Sequence, residues 1–446
     1  MKISKMLLGG LLFFTGLATM QAQEKKLSLD EAINLAVTKS TEASLADTKV
    51  NTSKFEVDKA KNHAYPDLKV SGQYQRLTNA NIDLKLPTGG EGEEGGGGTP
   101  KVNQLMLGQV SAGLPLFSGF KIKNSIEASK NLYTAETFNA TYTKEQLAMQ
   151  AVVLYVNLYK AHESVKLIQE NLKSANQRVT DFTAMEKNGL LARNDLLKSQ
   201  LQASNIEVTL EEAKKNVSTI NYQLVTFLKL PEGTVVVPND SYFKKQENMT
   251  TAATANEAIS SRSDLEALRW QQKASESNVK IAKADYYPSI SLVGGYIALD
   301  VQNVMRVTNA VNFGVGVSYD ISNIFKNGKN VKAAKSRAQE AQQAVDILTD
   351  RVKVEVQNAL ENYNLAVKQN RVFTEAVEQA TENYRIVKDK YDNGLVDTND
   401  LLEADVDQLK AKINEAFSKA DITENYYELL NASGKLTNTI NLTQTK

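Results

Sequence analysis

Asn188-Gly-Leu-Leu-Ala-Arg-Asn-Asp-Leu-Leu197 is a stretch that this chain of 446 residues carries twice, the second time as Asn393-Gly-Leu-Val-Asp-Thr-Asn-Asp-Leu-Leu402. A glycine after a long helical run takes the left-handed conformation that ends a helix at little cost. The Asn-Asp pair that follows is typical of a helix start, with the asparagine as N-cap. Each copy therefore predicts the tight tip of a helical hairpin.

A heptad pattern of apolar residues leads into each copy. These residues recur at alternating steps of four and three from Leu147 to Phe182, and the same positions shifted by 205 residues run from Val352 to Val387. Asn370 is the one polar break in the second run. A sustained 3.5-residue period predicts a left-handed coiled coil. Heptads occur in every coiled coil, so the class of protein has to be inferred from the rest of the chain.

The composition excludes several classes of function. The chain has no cysteine, which excludes disulfides, a thiolate nucleophile and a zinc-finger pattern. Its two histidines, His63 and His162, lie singly on predicted helices, where a histidine is usually packed or solvated. Because 52 bases balance 52 acids, neither a nucleic-acid partner nor an anionic-membrane partner is indicated. We expect no enzyme activity, no catalytic residues, no cofactor and no metal site.

The N-terminus has the pattern of a secretory signal peptide. Lys2 and Lys5 precede an apolar run that ends at a plausible cleavage site, Met20-Gln21-Ala22. The remaining chain reads as two repeats of one plan. The predicted segments are the signal peptide at 1–22, repeat one at 23–250 with its tip at 188–195, and repeat two at 251–446 with its tip at 393–400.

Four segments alternate between apolar and polar residues, as β-strands with two different faces do. They lie at about 67–76, 104–114, 289–299 and 311–321. A Tyr-Pro pair, at Tyr65 and again at Tyr287, precedes the first strand of each repeat. Between the first two strands, the polar, glycine-rich stretch from about Leu77 to Asn103 predicts an exposed loop.

Strands of this length are long enough to cross a bilayer when tilted. Four strands cannot close a barrel, and an open sheet edge is not tolerated in lipid. Two copies of the chain would give eight strands with a filled interior, and three would give twelve strands with room for a lumen. The other interpretation is a small soluble sheet that caps a coiled coil.

The helix lengths suggest how the helices are paired. Two long helices are predicted at about 120–187 and 328–392, and each needs antiparallel partners of similar total length. We predict that the helix at 195–228 stacks end to end on the helix at 263–284, and that 400–430 stacks on 41–63. The segment at about 231–262 would form a belt around the middle.

These features together resemble the TolC-type outer-membrane efflux proteins, also called outer membrane factors. The resemblance rests on the paired tips, the paired Tyr-Pro strand starts, the Leu114-Pro-Leu-Phe-Ser-Gly119 motif and the Ala432-Ser-Gly434 ending. It implies an α+β membrane protein in which a long antiparallel α-helical coiled-coil barrel carries a trimeric twelve-stranded transmembrane β-barrel. It also implies a location in the outer membrane, with a helical extension into the periplasm.

The resemblance further implies a function and partners. The expected function is an outer-membrane channel of a tripartite efflux or type I secretion system. The expected partners are two further copies of the chain, outer-membrane lipid, a periplasmic adaptor (membrane fusion protein) and an inner-membrane transporter of the RND, ABC or MFS type.

Roles for individual residues also follow from the resemblance. The tips correspond to the surface that meets adaptor hairpins, which points to Gly189, Leu190, Asn194, Gly394, Leu395 and Asn399. Asp400, Glu403 and Tyr391 match residues of a periplasmic gate. One departure concerns the latch of that gate, because Val396 stands where some members have a basic residue. Arg193 on the other tip is a candidate substitute.

The two repeats differ one helical turn beyond the shared aspartate. Asp195 is followed at three residues by Lys198, with which it can pair, whereas Asp400 is followed by Glu403. In a trimer the second arrangement would bring six carboxylates together, which would attract cations. The simpler interpretation is a solvated first-turn acid that faces the helix dipole.

Two other functions stay open. An exported trimeric coiled-coil scaffold or adhesin would need no lipid-facing strands and does not predict two duplicated hairpins. An outer-membrane barrel enzyme is the third, although no serine, histidine and acid occur together near the strands.

Overall fold

A computed structural model describes residues 24–80, 102–239, 243 and 254–436. The predicted signal peptide and the glycine run at 89–98 lie outside the described residues. Among the described helices, none combines the length and apolar character needed to cross a membrane.

The same order of elements (helix, two strands, long helix, helix) occurs twice in the described residues. The helices are α1 (Leu29–Lys39), α2 (Thr41–Asn62), α3 (Lys121–Lys187), α4 (Arg193–Phe227), α5 (Ala255–Ser261), α6 (Ser263–Ala284), α7 (Asn323–Asp392) and α8 (Thr398–Ala432). The strands are β1 (Glu24–Leu27), β2 (Asp67–Ala80), β3 (Val102–Ser118), β4 (Val235–Pro238), β5 (Ser289–Val301) and β6 (Met305–Ser318).

The four predicted amphipathic strands form one antiparallel sheet in the order β2-β3-β5-β6. Their predicted bounds were partly wrong. Residues 77–80 and 102–103 were predicted as loop but belong to β2 and β3, and β6 spans 305–318 rather than 311–321. Pro115 does not end β3, because a register shift beside it accommodates the missing N–H donor.

One face of this sheet is apolar and uncovered. The register aligns Val70, Val110, Tyr296 and Val311 in one row across all four strands. On the same face Phe313 is 92% exposed. The next row, on the opposite face, contains Lys69, Ser111, Gly295 and Asn312. A contiguous exposed apolar face of this kind indicates contact with lipid or another apolar surface.

The helices form a layer in which α3 and α7 are the long members. Both α6 and α8 pack between α3 and α7, whereas α2 and α4 pack against α3. The predicted stacking was therefore wrong, since the columns are α2 with α4 and α6 with α8. Helix lengths could not decide this point, because α4 and α8 both have 35 residues and α2 and α6 both have 22.

The heptad prediction is confirmed along both long helices. In α3 the positions from Leu147 to Phe182 are buried or half-buried, and the same holds in α7 from Val352 to Val387. The polar break is satisfied, because the Asn370 side-chain amide donates to the Ser418 hydroxyl of α8 at 2.9 Å. Each long helix thus presents a continuous seam to its neighbours.

A belt of smaller elements surrounds the middle of the layer. In it β1 and β4 form a parallel pair that the sequence prediction missed. The Tyr155 hydroxyl of α3 fixes this pair, since it donates to the Leu27 carbonyl at 2.7 Å and accepts from the Asn239 N–H at 2.8 Å. Leu27, Leu29 and Leu436 are fully buried in the same core.

Arg262 joins the belt to the end of α8. Its guanidinium donates to Asp264 and to Glu355 of α7. Burial opposes the charge of Arg262, but these two carboxylates outweigh it and raise the pKa of the guanidinium. Arg262 is also the N-cap of α6, and the hydroxyl of the next residue, Ser263, donates to Glu145 of α3.

Gly434 is the glycine of the Ala-Ser-Gly ending, and it lies directly against Arg262. It has φ +69°, and a Cβ there would meet the Arg262 nitrogen at 2.9 Å. Gly189 has nearly the same φ, +71°, but a Cβ there would meet nothing within 4 Å.

The pair Gly434→Ala and Gly189→Ala therefore separates backbone strain from steric contact. We expect Gly189→Ala to cost about 1 kcal/mol of unfolding free energy, from the left-handed conformation alone. Gly434→Ala is expected to cost about 1–3 kcal/mol more, because the neighbouring backbone cannot retreat. The unfolding free energy of each variant is measured from the helical circular dichroism signal during denaturation. If both variants lose the same unfolding free energy, the steric contact between a Cβ at position 434 and Arg262 is contradicted.

Candidate functional site at the two hairpin tips

Both tips end a long helix in the same way. Gly189 and Gly394 have φ +71° and +70°, and their N–H groups donate to the carbonyls of Glu186 and Tyr391 at 2.9 Å. The next residue closes a longer bond back into the helix, from Leu190 N–H in tip one to Met185 and from the matching leucine in tip two to Lys390. This is the Schellman arrangement, and it explains why glycine recurs there.

The tips differ in how the next helix begins. The predicted N-caps, Asn194 and Asn399, were wrong by two residues, because the N-caps are Ala192 and Asp397. Ala192 supplies no side-chain cap, whereas Asp397 accepts from the N–H groups of Asn399 and Asp400. Those N–H groups hold the pKa of Asp397 below its ordinary value. Only the second tip therefore has a capping box.

Several tip residues protrude into solvent. Leu190 and Leu395 are 73% and 74% exposed, although the hydrophobic residue at this position usually packs on its own helix. Asn194 and Asn399 are exposed beside them. The described chain therefore covers neither leucine, and each tip offers an apolar point with a polar neighbour.

The charged residues just beyond the two tips differ in the structure as the sequence predicts: one tip has an acid paired with a base, and the other has two acids. Lys198 pairs with Asp195 at 3.5 Å on the first return helix. On the second, Asp400 and Glu403 are both exposed, and one Asp400 oxygen accepts from the Asp397 N–H at 3.3 Å. Asp400 thus serves as a first-turn acid, with its remaining oxygen free for other contacts.

Arg193 does not join the two tips. Its guanidinium pairs with Glu186 of the same hairpin at 3.3 Å, and its side chain is 70% exposed. Val396 is half-buried and lines a groove between the hairpins. The candidate latch on Arg193 is therefore not formed in this conformation.

An apolar cluster holds the tips side by side instead. Tyr391 stacks on Phe182 with ring centroids 5.7 Å apart. Leu196 and Leu401, one from each return helix, are buried in the same cluster. The Tyr391 hydroxyl also accepts from the Thr398 hydroxyl at 3.5 Å. Tyr391 is thus a contact between hairpins rather than a free side chain.

A buried ion pair lies just above this cluster. Arg178 of α3 and Asp405 of α8 approach to 3.2 Å, with side chains only 9% and 5% exposed. Arg178 also reaches the Tyr384 hydroxyl of α7 at 3.5 Å. Sequence analysis missed this pair, since a charged residue beside a heptad position usually faces solvent. The only signal was its place next to Val179 in the seam.

A groove of about 890 Å³ runs along the same region between the hairpins. Its lining includes Arg178, Phe182, Leu190, Tyr391, Gly394 and Leu401. Within the described parts of the chain, no cluster of three or more histidine or acidic side chains is placed to hold a metal ion.

Comparison with known proteins shows what this chain is similar to. Residues 254–435 match the family described as Outer membrane efflux protein. Outer membrane efflux protein BepC of Brucella suis biovar 1 (strain 1330) is 24% identical over 349 residues, which span 76% of this chain and 75% of that protein. The chain is thus similar to outer membrane efflux proteins over most of its length.

Solved structures of outer membrane channels share the fold of this chain. The CmeC outer membrane channel of Campylobacter jejuni superposes with a TM-score of 0.75 at 17% identity, over 98% of this chain and 94% of that one. The open state of the MtrE outer membrane channel of Neisseria gonorrhoeae gives 0.73 at 20% identity, over 95% and 94%. The resemblance drawn from the sequence is thereby confirmed, and the roles of single tip residues in this chain stay predictions.

The Arg178–Asp405 pair leads to a charge-swap prediction. Arg178→Asp or Asp405→Arg alone places two like charges in a buried site and is expected to cost about 3 kcal/mol of contact between the hairpins. Amide hydrogen exchange over residues 401–408 should then rise about 100-fold. The double swap should recover most of that protection.

Arg193→Asp is the matched control, because Arg193 is exposed and pairs within its own hairpin. It should leave exchange over 401–408 nearly unchanged. A single swap at 178 or 405 with no more effect than this control would show that the buried pair does not hold the hairpins.

Proposed function

We propose that this chain is the outer-membrane channel of an efflux or export system. Three copies would assemble into a twelve-stranded barrel in the outer membrane, continued by a helical tunnel in the periplasm. Substrates would pass from a periplasmic adaptor and an inner-membrane pump to the exterior. The chain itself would supply a passage and a gate, without covalent chemistry.

The observation that carries this proposal is that the sheet and the helical layer have unpaired edges on the same two sides. In the sheet, β2 and β6 are the edge strands. Because α2 leads into β2 and β6 leads into α7, the edges of the helical layer continue those of the sheet. A closed ring of copies satisfies both layers at once.

The helical edges carry exposed apolar residues at heptad spacing. On α4 they are Leu197, Leu201, Val208 and Tyr222, and on α7 they are Ile347, Val354, Leu365, Val372 and Ile386. Such stripes are the seam of a coiled coil whose partner helix is another chain. Three copies are favoured over two because eight strands leave no lumen, whereas twelve leave room for one.

The apolar face of the sheet supports a position in lipid. Its exposed members on β2 and β6 include Leu68, Val70, Val311, Phe313 and Val315. Apolar residues facing out and polar residues facing in are the pattern of a transmembrane barrel. The scaffold alternative gives no reason for an uncovered apolar sheet, so the channel is the better account.

The tips are proposed as the adaptor-docking surface. Leu190 and Leu395 protrude at one end of the layer, each beside an exposed asparagine, Asn194 or Asn399. Gly189 and Gly394 shape the turns that present them. An apolar anchor with a hydrogen-bonding neighbour suits a helical hairpin of a partner protein.

The gate is proposed to involve Tyr391, Asp400 and Glu403. In a three-fold ring the two acids of each copy would converge as six carboxylates at the tunnel end. The stacking of Tyr391 on Phe182 and the buried Arg178–Asp405 pair would hold the second hairpin against the first. These contacts replace the basic latch that Val396 cannot supply.

The acidic ring is tested by conductance in planar bilayers. Asp400→Ala combined with Glu403→Ala is expected to weaken the cation preference of the channel, because the converging negative charge is removed. Asp195→Ala is the control, since Asp195 is already paired with Lys198. Unchanged selectivity in the double variant would contradict the ring.

The docking surface is tested by photo-cross-linking in cells. A photoreactive amino acid at Leu190 or Leu395 is expected to capture a periplasmic protein that contains a helical hairpin. The same label at Glu212, exposed on α4 and roughly 30 Å from the tip, should capture none of it. Equal capture at 212, or none at the tips, would count against docking there.

A further inference from the structure

The apolar face of the four-stranded sheet becomes charged at its far end. In the half next to the helices, one row of register partners on this face is Val70, Val110, Tyr296 and Val311. In the half far from the helices, a row on the same face is Tyr74, Met106, Asp300 and Arg306. Asp300 and Arg306 form an ion pair at 2.6 Å, and the Arg306 side chain is 73% exposed. The apolar character of this face therefore stops before the strands end.

The opposite face changes in the reverse direction, from polar to apolar. Near the helices it carries a row with Lys69, Ser111 and Asn312. In the far half, each of two neighbouring rows on this face takes an apolar residue from three strands and a glutamine, Gln73 or Gln75, from β2. We call the six apolar residues the apolar collar: Leu105, Leu107, Leu299, Val301, Met305 and Val307.

The apolar collar is not the core of the subunit. Met305 is 49% exposed, and the other five collar residues are half-buried rather than buried. Within the described part of the chain, the four strands pack chiefly on one another. An apolar surface of this extent that is left open indicates contact with another apolar body.

The charged pair decides which way the collar faces in the proposed barrel. The face with Val70 and Phe313 lies in lipid there, and a charge in hydrocarbon is costly, so Asp300 and Arg306 mark where that face leaves the hydrocarbon. The collar lies on the other face and therefore borders the lumen of a closed ring. Barrel interiors are usually polar, so neither insertion into lipid nor closure of the ring requires apolar residues there.

We propose that the apolar collar binds uncharged, apolar organic molecules as they leave through the outer mouth of the lumen. The proposal rests on the proposed function and deepens it, because it names the class of cargo. Binding surfaces for such molecules are mostly apolar with a few polar groups, and Gln73 and Gln75 supply amides for a hydroxyl or carbonyl group. Neither row contains a charged side chain, so a hydrated ion finds no counter-charge at the collar.

Protection of a single thiol tests the collar and does not require the periplasmic end to open. Because the chain has no cysteine, Leu107→Cys places one thiol per copy on the collar face of β3. Cells are treated with a small water-soluble maleimide, and the protein is purified before the label is measured. We expect naphthol, an uncharged apolar probe, to slow the reaction roughly twofold or more, because it covers the wall. Naphthalene sulfonate, its charged analogue, should not slow it.

Matched variants assign the protection to the collar. Ser111→Cys is the control, because it lies on the same face of the same strand, in a polar row about 13 Å nearer the helices. Naphthol should not slow its reaction. In the Leu107→Cys chain, Leu299→Gln with Val307→Gln should abolish the protection, because the apolar wall is removed. Leu299→Met with Val307→Ile keeps that wall apolar and should retain the protection.

Several outcomes would overturn the proposal. They are equal effects of the two probes at position 107, equal slowing at position 111, and protection that survives the double glutamine variant. A thiol at 107 that stays unreactive while the thiol at 111 reacts would mean that another part of the molecule covers the collar, which also contradicts it. Failure of the proposed function is recognised separately in the same cells, because the protein would then be missing from the outer-membrane fraction.

Discussion

A backbone N–H or C=O group that faces lipid without a hydrogen-bond partner costs several kcal/mol, and this constraint governs the assembly of the whole molecule. In the sheet of one chain, the outer edges of β2 and β6 each leave a row of N–H and C=O groups without partners. Chain connectivity then aligns the helical edges with the strand edges, since α2 leads into β2 and β6 into α7. In the proposed assembly the subunit would be a segment of a ring in both layers, and closing that ring would form the channel.

The two kinds of contact in the helical layer have different physical roles. Within each hairpin the contact is an apolar seam, which buries a large area and makes the hairpin a stiff unit. Between hairpins, the apolar cluster at the tips is supplemented by ion pairs between α3 and α8, Arg178 with Asp405 and Lys160 with Asp421. Directional polar contacts fix a register but add little net stability.

Periodicity was enough to predict the long helices and the four strands, and the glycine with its Asn-Asp pair predicted the tips, because each depends on local pattern. Local patterns did not predict the features that depend on which helices and strands pack against each other. The stacking of α2 on α4 was missed because two pairs of helices have equal lengths. The β1–β4 pair was missed because its strands are distant in sequence, although the run Val235-Val236-Val237 was a signal for strand. Arg178 was missed because its burial exists only once α8 packs beside α3.

The ring of subunits is the central claim, and the absence of cysteine from the chain allows a clean measurement of it. Val70→Cys on β2 is combined in turn with a cysteine at Val311, Phe313, Val315 or Val317 on β6, and disulfides are formed in the outer membrane. These strands lie at opposite edges of one sheet, so a bond between them must join different chains. The account predicts that at least one combination yields covalent dimers and trimers and nothing larger. If no combination cross-links, or if the products extend beyond three chains, the closed trimer is wrong.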